Sequence, residues 1–282
     1  MQNTKIGFIG GGQIARCIIG GLLSNAWLAQ NIRVSDPNAD KLAKLKEQFG
    51  IHADFDNSKL VQESDMIVIA VKPQQVQSAL ASLNLESEHQ LDKKLMISLV
   101  AGIRLENIQR WLNKNLAIVR AMPNTPALLG ASATALYANL KVSEEQKNLA
   151  ESVLRSVGLA LWVKHEHELD TVTALSGAGP AYFFLFMEAM AQAASHLGLR
   201  EEDATILIQQ TALGAAKMSM ESDNSLAQLI QQVASKGGVT EKGLEVLEQA
   251  NLRKILKKTL EAAKQRAVEI GDLFSQQEQK IQ

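Results

Sequence analysis

Lys5-Ile6-Gly7-Phe8-Ile9-Gly10-Gly11-Gly12-Gln13-Ile14-Ala15 opens the chain with a short β-branched and aromatic run, three consecutive glycines and the start of an apolar helical pattern. The run reads as a strand, and Gly10-x-Gly12-x-x-Ala15 as the turn that carries it into a helix. In such a turn the first glycine permits the bend, the second lets a pyrophosphate approach the backbone, and the small third residue lets the helix pack closely. Unpaired amides and the positive dipole end of the helix then favour an anion. Ile9, Gly10, Gly11, Gly12, Gln13 and Ile14 are therefore read as dinucleotide contacts. A glycine-rich turn with no ligand is the plainer alternative, but it leaves three glycines at a phosphate-binding position unexplained.

The pattern then repeats. Apolar, β-branched runs at residues 5–9, 32–35, 66–71, 95–100 and 117–121 alternate with amphipathic stretches at 40–49, 74–83 and 104–112, punctuated by Gly, Pro or Asn/Asp. Alternation of this kind, with right-handed crossovers, makes a doubly wound parallel sheet. A further helix is expected from Ser143, with Gln146 completing a capping box and Gly158 as its stop, leading into a last strand over 159–163. From about Glu166 strand signals vanish. Leu226, Leu229, Ile230 and Val233 share one helix face, while 181–197 and 204–220 are apolar on more than one face. A bundle built from that segment alone has limited interior, so a second subunit is the expected cover. The expected architecture is α/β: an N-terminal Rossmann-like doubly wound sheet over residues 1–164, followed by an all-α C-terminal dimerisation and substrate domain over 165–282.

With 282 residues, two domains of ordinary size are expected, and 29 basic residues against 30 acidic ones give no electrostatic case for nucleic acid or an anionic membrane. A small-molecule partner fits better. Cys17, the single cysteine, excludes an intrachain disulfide. The N-terminus lacks a basic stretch followed by an apolar one, and the longest clean apolar run, 66–71, is far too short to span a bilayer. A cytoplasmic, soluble protein is expected, with a frayed polar tail over 275–282.

Further site candidates follow the strands. Ser35-Asp36-Pro37-Asn38 ends the second strand, where an acidic side chain would hydrogen-bond an adenine ribose. Asp36 argues for NADH, because its charge repels a 2′-phosphate and no Arg follows at once, although Lys41 could accept one; Asp36 as a plain turn former is the alternative. Ala70-Val71-Lys72-Pro73 ends the third strand at the carboxyl edge, where ligands of such sheets bind, and the Met122-Pro123-Asn124-Thr125-Pro126 turn belongs near the same crevice. In the helical half, Val233-Ala234-Ser235-Lys236-Gly237-Gly238-Val239-Thr240 places two glycines before a helix start, an arrangement suited to gripping a carboxylate. Thr240 as an ordinary helix cap is the competing reading.

These stretches, with Arg120-Ala121-Met122-Pro123-Asn124-Thr125-Pro126-Ala127, Leu175-Ser176-Gly177-Ala178-Gly179-Pro180-Ala181-Tyr182, and Glu241, Gly243, Leu244, Leu247 and Glu248, resemble the pyrroline-5-carboxylate reductase family over nearly the whole chain. The resemblance implies hydride transfer from NADPH or NADH to the C=N bond of (S)-1-pyrroline-5-carboxylate, giving L-proline. The family commonly uses NADPH and often accepts both cofactors, with the serine at position 35 contacting the phosphate, so the preference stays open. It implies nicotinamide-side contacts at Ala70, Val71, Lys72, Pro73, Val100 and Ala101, and an adenosine-side contact at Asn57. The substrate carboxylate would sit on the amides of Gly238, Val239 and Thr240. The Thr240 hydroxyl, a poor acid in water, would direct a hydrogen bond to the ring nitrogen or relay a proton to it. Glu166 matches a position that contacts substrate from the neighbouring subunit, although a solvated carboxylate is an equal reading. Intertwined dimers, often assembled further into a decamer, are implied as well. One departure is Lys236, where the family usually has Pro.

Other features rank lower. His165 and His167 lack the companions of a metal site, and no metal is expected. Ser176-Gly177-Ala178-Gly179 lacks both the nucleophile-elbow arrangement and a Walker lysine. Cys17 reads as a packing residue. A β-hydroxyacid dehydrogenase, with Lys217 as its base, and a dinucleotide sensor without turnover remain the alternatives.

Overall fold

The structure, a computed structural model, describes residues 4–83, 91 and 93–276. Residues 277–282 of the polar tail lie outside them. The chain runs β1 (Ile6–Ile9), α1 (Gln13–Ser24), β2 (Ile32–Ser35), α2 (Ala39–Phe49), β3 (His52–Asp54), α3 (Asn57–Gln62), β4 (Met66–Ile69), α4 (Val76–Ala81), β5 (Leu95–Ser98), α5 (Leu105–Leu112), β6 (Ala117–Met122), β7 (Ser132–Ala138), α6 (Glu144–Arg155), β8 (Gly158–Trp162) and α7 (Glu168–Val172). Then come α8 (Gly179–His196), α9 (Glu201–Glu221), α10 (Leu226–Val233), α11 (Val239–Gln249) and α12 (Leu252–Gln276).

Every residue of β1, β4 and β5 is buried, as befits parallel strands covered on both faces. Side chains alternate between the two covers. On β4, Met66 and Val68 join the cluster that includes Phe8, Ile18, Ile19 and Leu22, while Ile67 and Ile69 join Ile9, Val76, Leu80 and Ile108 on the other face. The sheet has the order β3-β2-β1-β4-β5-β6-β7-β8, all parallel except that β7 runs antiparallel to β6. Strand order reverses at β1, which pairs with β2 on one side and β4 on the other, and that reversal creates a ligand crevice at the carboxyl ends.

The sequence reading differs from this fold in identifiable places. β3 is short and half exposed, and β7 (SATALYA) is rich in alanine, so neither carries a strong strand signal. Gly158 does not stop a helix: α6 ends at Arg155 with Ser156 at its C-cap, and Gly158 opens β8. The Ser143–Gln146 capping box forms as expected. The stretch expected as one helix over 74–83 is a 3-10 turn, Pro73–Gln75, followed by α4.

Contacts divide the chain into two compact units, one holding the sheet, up to Ala178 and again from Ala263 on, the other spanning Gly179–Ala262. In the second unit α8 and α9 leave Phe183, Phe184, Leu185, Ile206, Leu207 and Leu213 exposed, and α8 buries only Gly179 and Ala191. Helices so apolar on their open faces need a cover from outside the unit. Among the described residues no helix is long and apolar enough to cross a membrane.

β6 (AIVRAM) carries a charge into this apolar setting. Arg120 is 4% exposed. Its Nη1 donates to Glu166 Oε1 at 3.0 Å and its Nη2 lies 3.8 Å from Asp170 Oδ1. Replacing it leaves two carboxylates facing a void. Arg120→Ala should cost about 3–5 kcal/mol, read as a lower urea midpoint, and Arg120→Met, which refills the space without the charge, should recover little of it.

Candidate active site

The turn after β1 is held from both sides. Gly10 N–H donates to Ser35 O at 2.7 Å, and Ala70 N–H donates to Ile9 O at 2.8 Å. Gly10 sits at φ +101, and a Cβ there would stand 2.8 Å from Ala70 O and from Val71 Cγ1. Glycine is thus required by both conformation and space. Gly12 is the N-cap of α1 and offers no side chain, nor is there an acidic residue in the first turn. Among the described residues the amides of Gly12, Gln13 and Ile14 have no acceptor. Uncapped amides at a positive helix end, approached over a bare glycine, fit a pyrophosphate.

Ser35 and Asp36 are both buried at the end of β2. Ser35 Oγ donates to Asn57 Oδ1 at 2.6 Å, and Asn57 Nδ2 donates to Ser82 Oγ at 2.9 Å. Asn57, expected as an isolated contact, is thus the first residue of α3, a helix capped by Asp56. On the other side of β1, Ala70, Val71, Lys72 and Pro73 follow β4, with Lys72 exposed, and Val100 and Ala101 follow β5 on the adjacent strand. The parallel sheet therefore brings the glycine turn, Ser35–Asp36, Ala70–Pro73 and Val100–Ala101 to one edge. A groove of ≈1170 Å³ does not follow that edge. It opens from Gly11 and Gly12 along α1 towards Phe49 and Val157.

Glu166 is fixed rather than free. Its Oε1 accepts from Arg120 and from the Leu105 amide at 2.9 Å, at the start of α5. It lies in a recess of ≈400 Å³ with Arg104, Tyr137, His165, His167 and Asp170. The His165 and His167 rings stack at 5.4 Å. Glu168 accepts the amides of Lys164 and His165, and the His165 bond leads the causes that hold its carboxyl below the usual range. Among the described residues no group of three or more His, Cys, Asp or Glu is placed so that it could hold a metal ion. Burial pushes the half-buried Cys17 thiol up, away from thiolate chemistry.

In the helical unit, α11 begins at Val239 and its N-cap, Gly238, makes no side-chain cap bond. Thr240 is therefore one residue inside the helix and is not its cap. The three amides expected to converge are not equivalent. Gly238 N–H is already donated to Ser235 O at 2.9 Å, whereas Val239 and Thr240 amides have no acceptor among the described residues. Glu241 Oε2 reaches back to accept the Gly237 amide at 2.7 Å and closes the loop.

Two family descriptions match the chain: "NADP oxidoreductase coenzyme F420-dependent" over residues 5–102 and "Pyrroline-5-carboxylate reductase dimerisation" over residues 166–270. A pyrroline-5-carboxylate reductase of Pseudomonas aeruginosa is 40% identical over 276 residues, 98% of this chain and 100% of that protein. The chain belongs to the pyrroline-5-carboxylate reductase family. The structure of a Coxiella burnetii pyrroline-5-carboxylate reductase superposes with a TM-score of 0.91 at 46% identity, covering 95% of this chain and 98% of that one. A Plasmodium falciparum pyrroline carboxylate reductase with NADP bound gives a TM-score of 0.82 at 30% identity, over 96% and 99%.

Within this family, position 236 has a physical reading. The Gly238 N–H to Ser235 O bond and the φ of +71 at Gly237 describe a type II turn, in which Lys236 holds the i+1 position that favours Pro. The sequence reading assigned no role to Arg120, and the signal was present: one guanidinium in an otherwise apolar strand demands buried partners. Asn124 was likewise placed only by its turn. Its Nδ2 donates to Ser176 O at 2.9 Å and its Oδ1 accepts the Ala133 amide at 3.0 Å, so it ties the turn after β6 to β7 and to the Ser176 segment.

Two outcomes test these placements. Gly10→Ala should weaken dinucleotide binding at least about tenfold in titration calorimetry, because the added Cβ displaces Ala70 and strains the turn. Lys236→Pro should raise stability by about 0.4–1 kcal/mol in urea unfolding, by restricting the unfolded chain at a position whose turn already suits proline.

Proposed function

We propose that this chain reduces the C=N bond of (S)-1-pyrroline-5-carboxylate to L-proline with NADPH or NADH. The observation that carries the reading is the state of Thr240. Thr173, Thr205, Thr211 and Thr259 all donate their hydroxyls to the carbonyl four residues earlier, as helical threonines commonly do. Thr240, the second residue of α11, has the turn residue Lys236 at that offset and no helical carbonyl, so its hydroxyl makes no such bond among the described residues, and beside it stand the uncapped amides of Val239 and Thr240. A hydroxyl left unspent next to an anion-binding helix end suits a small ring that bears a carboxylate and a nitrogen together.

The reduced nicotinamide supplies the hydride. The protein's part is to bind and orient. Glycine-turn residues Gly10, Gly11, Gly12, Gln13 and Ile14, with Ile9 beneath them, hold the pyrophosphate. Ala70, Val71, Lys72, Pro73, Val100 and Ala101 take the nicotinamide half, and Ser35 and Asn57 the adenosine half, beside Asp36 at the end of β2. Val239 and Thr240 amides, with Gly238 shaping the turn, hold the substrate carboxylate, and the Thr240 hydroxyl donates to the lone pair of the ring nitrogen, which draws electron density from the C=N carbon that accepts the hydride and starts the proton on its way to the nitrogen. Glu166, held by Arg120 and the Leu105 amide, is in this reading a substrate contact from the neighbouring subunit. No metal or nucleophilic side chain is needed.

In this reading residues 1–164 serve the dinucleotide and 165–282 serve dimerisation and substrate. The exposed apolar side chains of α8 and α9 support an intertwined dimer, with a decamer as its further assembly, and near-neutral composition supports a cytoplasmic location. Neither alternative gains support: Lys217, which a β-hydroxyacid dehydrogenase would need as its base, is exposed on α9, and the family assignment argues against a sensor without turnover.

The direct test is to mix the protein with pyrroline-5-carboxylate and each reduced cofactor, follow nicotinamide oxidation and identify proline. Silence with both cofactors, despite dinucleotide binding, would overturn the proposal. Thr240→Val should lower turnover roughly ten- to a thousandfold at unchanged cofactor affinity; near-normal turnover would reduce Thr240 to a helix residue.

A further inference from the structure

An acidic side chain at the end of β2 is ordinarily taken to read the adenine ribose by accepting from its hydroxyls, and its charge to exclude a 2′-phosphate. Asp36 is arranged otherwise. Its side chain is 7% exposed. Oδ2 accepts the Gly11 amide at 2.9 Å and lies 3.3 Å from Lys41 Nζ, and Oδ1 accepts the Asn38 amide at 2.9 Å. Each oxygen thus already accepts from the protein before any ligand arrives, and burial leaves little of either open to one. One of those commitments is to the middle of the glycine turn. Together with Gly10 N–H to Ser35 O, it fastens two successive amides of that turn to the end of β2.

The charge is also accounted for. Lys41, on the first turn of α2, keeps half of its side chain exposed while it neutralises Asp36. It lines the groove that opens at Gly11 and Gly12, whose other charged lining residues are Arg16 and Lys44, with no acid among them. A phosphate entering beside the glycine turn therefore meets a cation and a matched carboxylate, not a bare negative charge.

We propose that Asp36 is a positioning residue for the glycine turn and not the reader of the adenine ribose, and that Lys41 selects NADPH over NADH. This rests on the dinucleotide half of the function proposed above and is independent of which imine is reduced. The chain's affinity for each cofactor, measured by nicotinamide fluorescence on the full-length protein with no substrate present, tests it.

With the unaltered protein, NADH and its adenosine-2′-deoxy analogue should bind within about twofold of each other, whereas a ribose-reading Asp36 would lose about tenfold or more with the analogue. Asp36→Asn should weaken NADPH and NADH by the same factor, because it loosens the turn under the pyrophosphate that both share. Weakening of NADH alone would overturn the first half of the proposal. Lys41→Met, at a half-exposed site, should weaken NADPH about tenfold and leave NADH within about twofold, because Asp36 keeps its bonds from the Gly11 and Asn38 amides. Equal weakening of both, or of neither, would overturn the second half. Dinucleotide binding in the expected pattern by a protein that leaves pyrroline-5-carboxylate unreduced would sink the proposed reaction and leave this inference standing.

Discussion

The backbone amides that leave β1 are the constraint on which the dinucleotide edge depends. Strand order reverses at β1, so its carboxyl end is flanked by β2 and β4, each of which supplies one bond to the turn: Ser35 O accepts from Gly10, and Ala70 N–H donates to Ile9 O. The Gly10 bond, with that from the Gly11 amide to Asp36 Oδ2, spends the first amides of the turn. The next ones, at the start of α1, are left without acceptors because Gly12 has no side chain to cap them. A buried polar group without a partner is costly, so a helix end of this kind is stable only where water or an anion can reach it.

The same device recurs in the helical unit with different parts. Gly238 spends its amide on a turn with Ser235, Glu241 closes the loop from below, and the next two amides and the Thr240 hydroxyl remain for a ligand. Both helix ends are uncapped, and the difference between them lies in what accompanies them. At α1 the neighbours are glycines and the sheet edge; at α11 the neighbour is a hydroxyl. A redox reaction on a carboxylated imine asks for that pair and for little else.

Charges are placed with more economy than their number suggests. Arg120 balances Glu166 and Asp170, Lys41 balances Asp36, and each pair also fixes backbone: Glu166 takes the Leu105 amide, Asp36 the Gly11 amide. A buried carboxylate stripped of its cation keeps its desolvation cost and loses its compensation, so Arg120, Glu166 and Asp170 act as a unit, whereas Asp36 also rests on two backbone amides.

Much of this was legible in the chain. The glycine turn, the apolar runs of β1, β4 and β5 and the Ser143 capping box are local signals, since hydrogen-bonding needs, backbone sterics and side-chain periodicity act over a few residues. Tertiary structure decided the rest. β7, an alanine-rich stretch of weak propensity, is a strand because β6 and β8 pair with it. Asp36 carries the same residue type as a ribose reader, and only its packing shows both oxygens turned to the protein. Glu166 is far in sequence from both the Leu105 amide and the Arg120 guanidinium that it binds. Residue type determines what a group can donate, accept or fill, whereas partners distant in sequence determine which of those capacities is already spent.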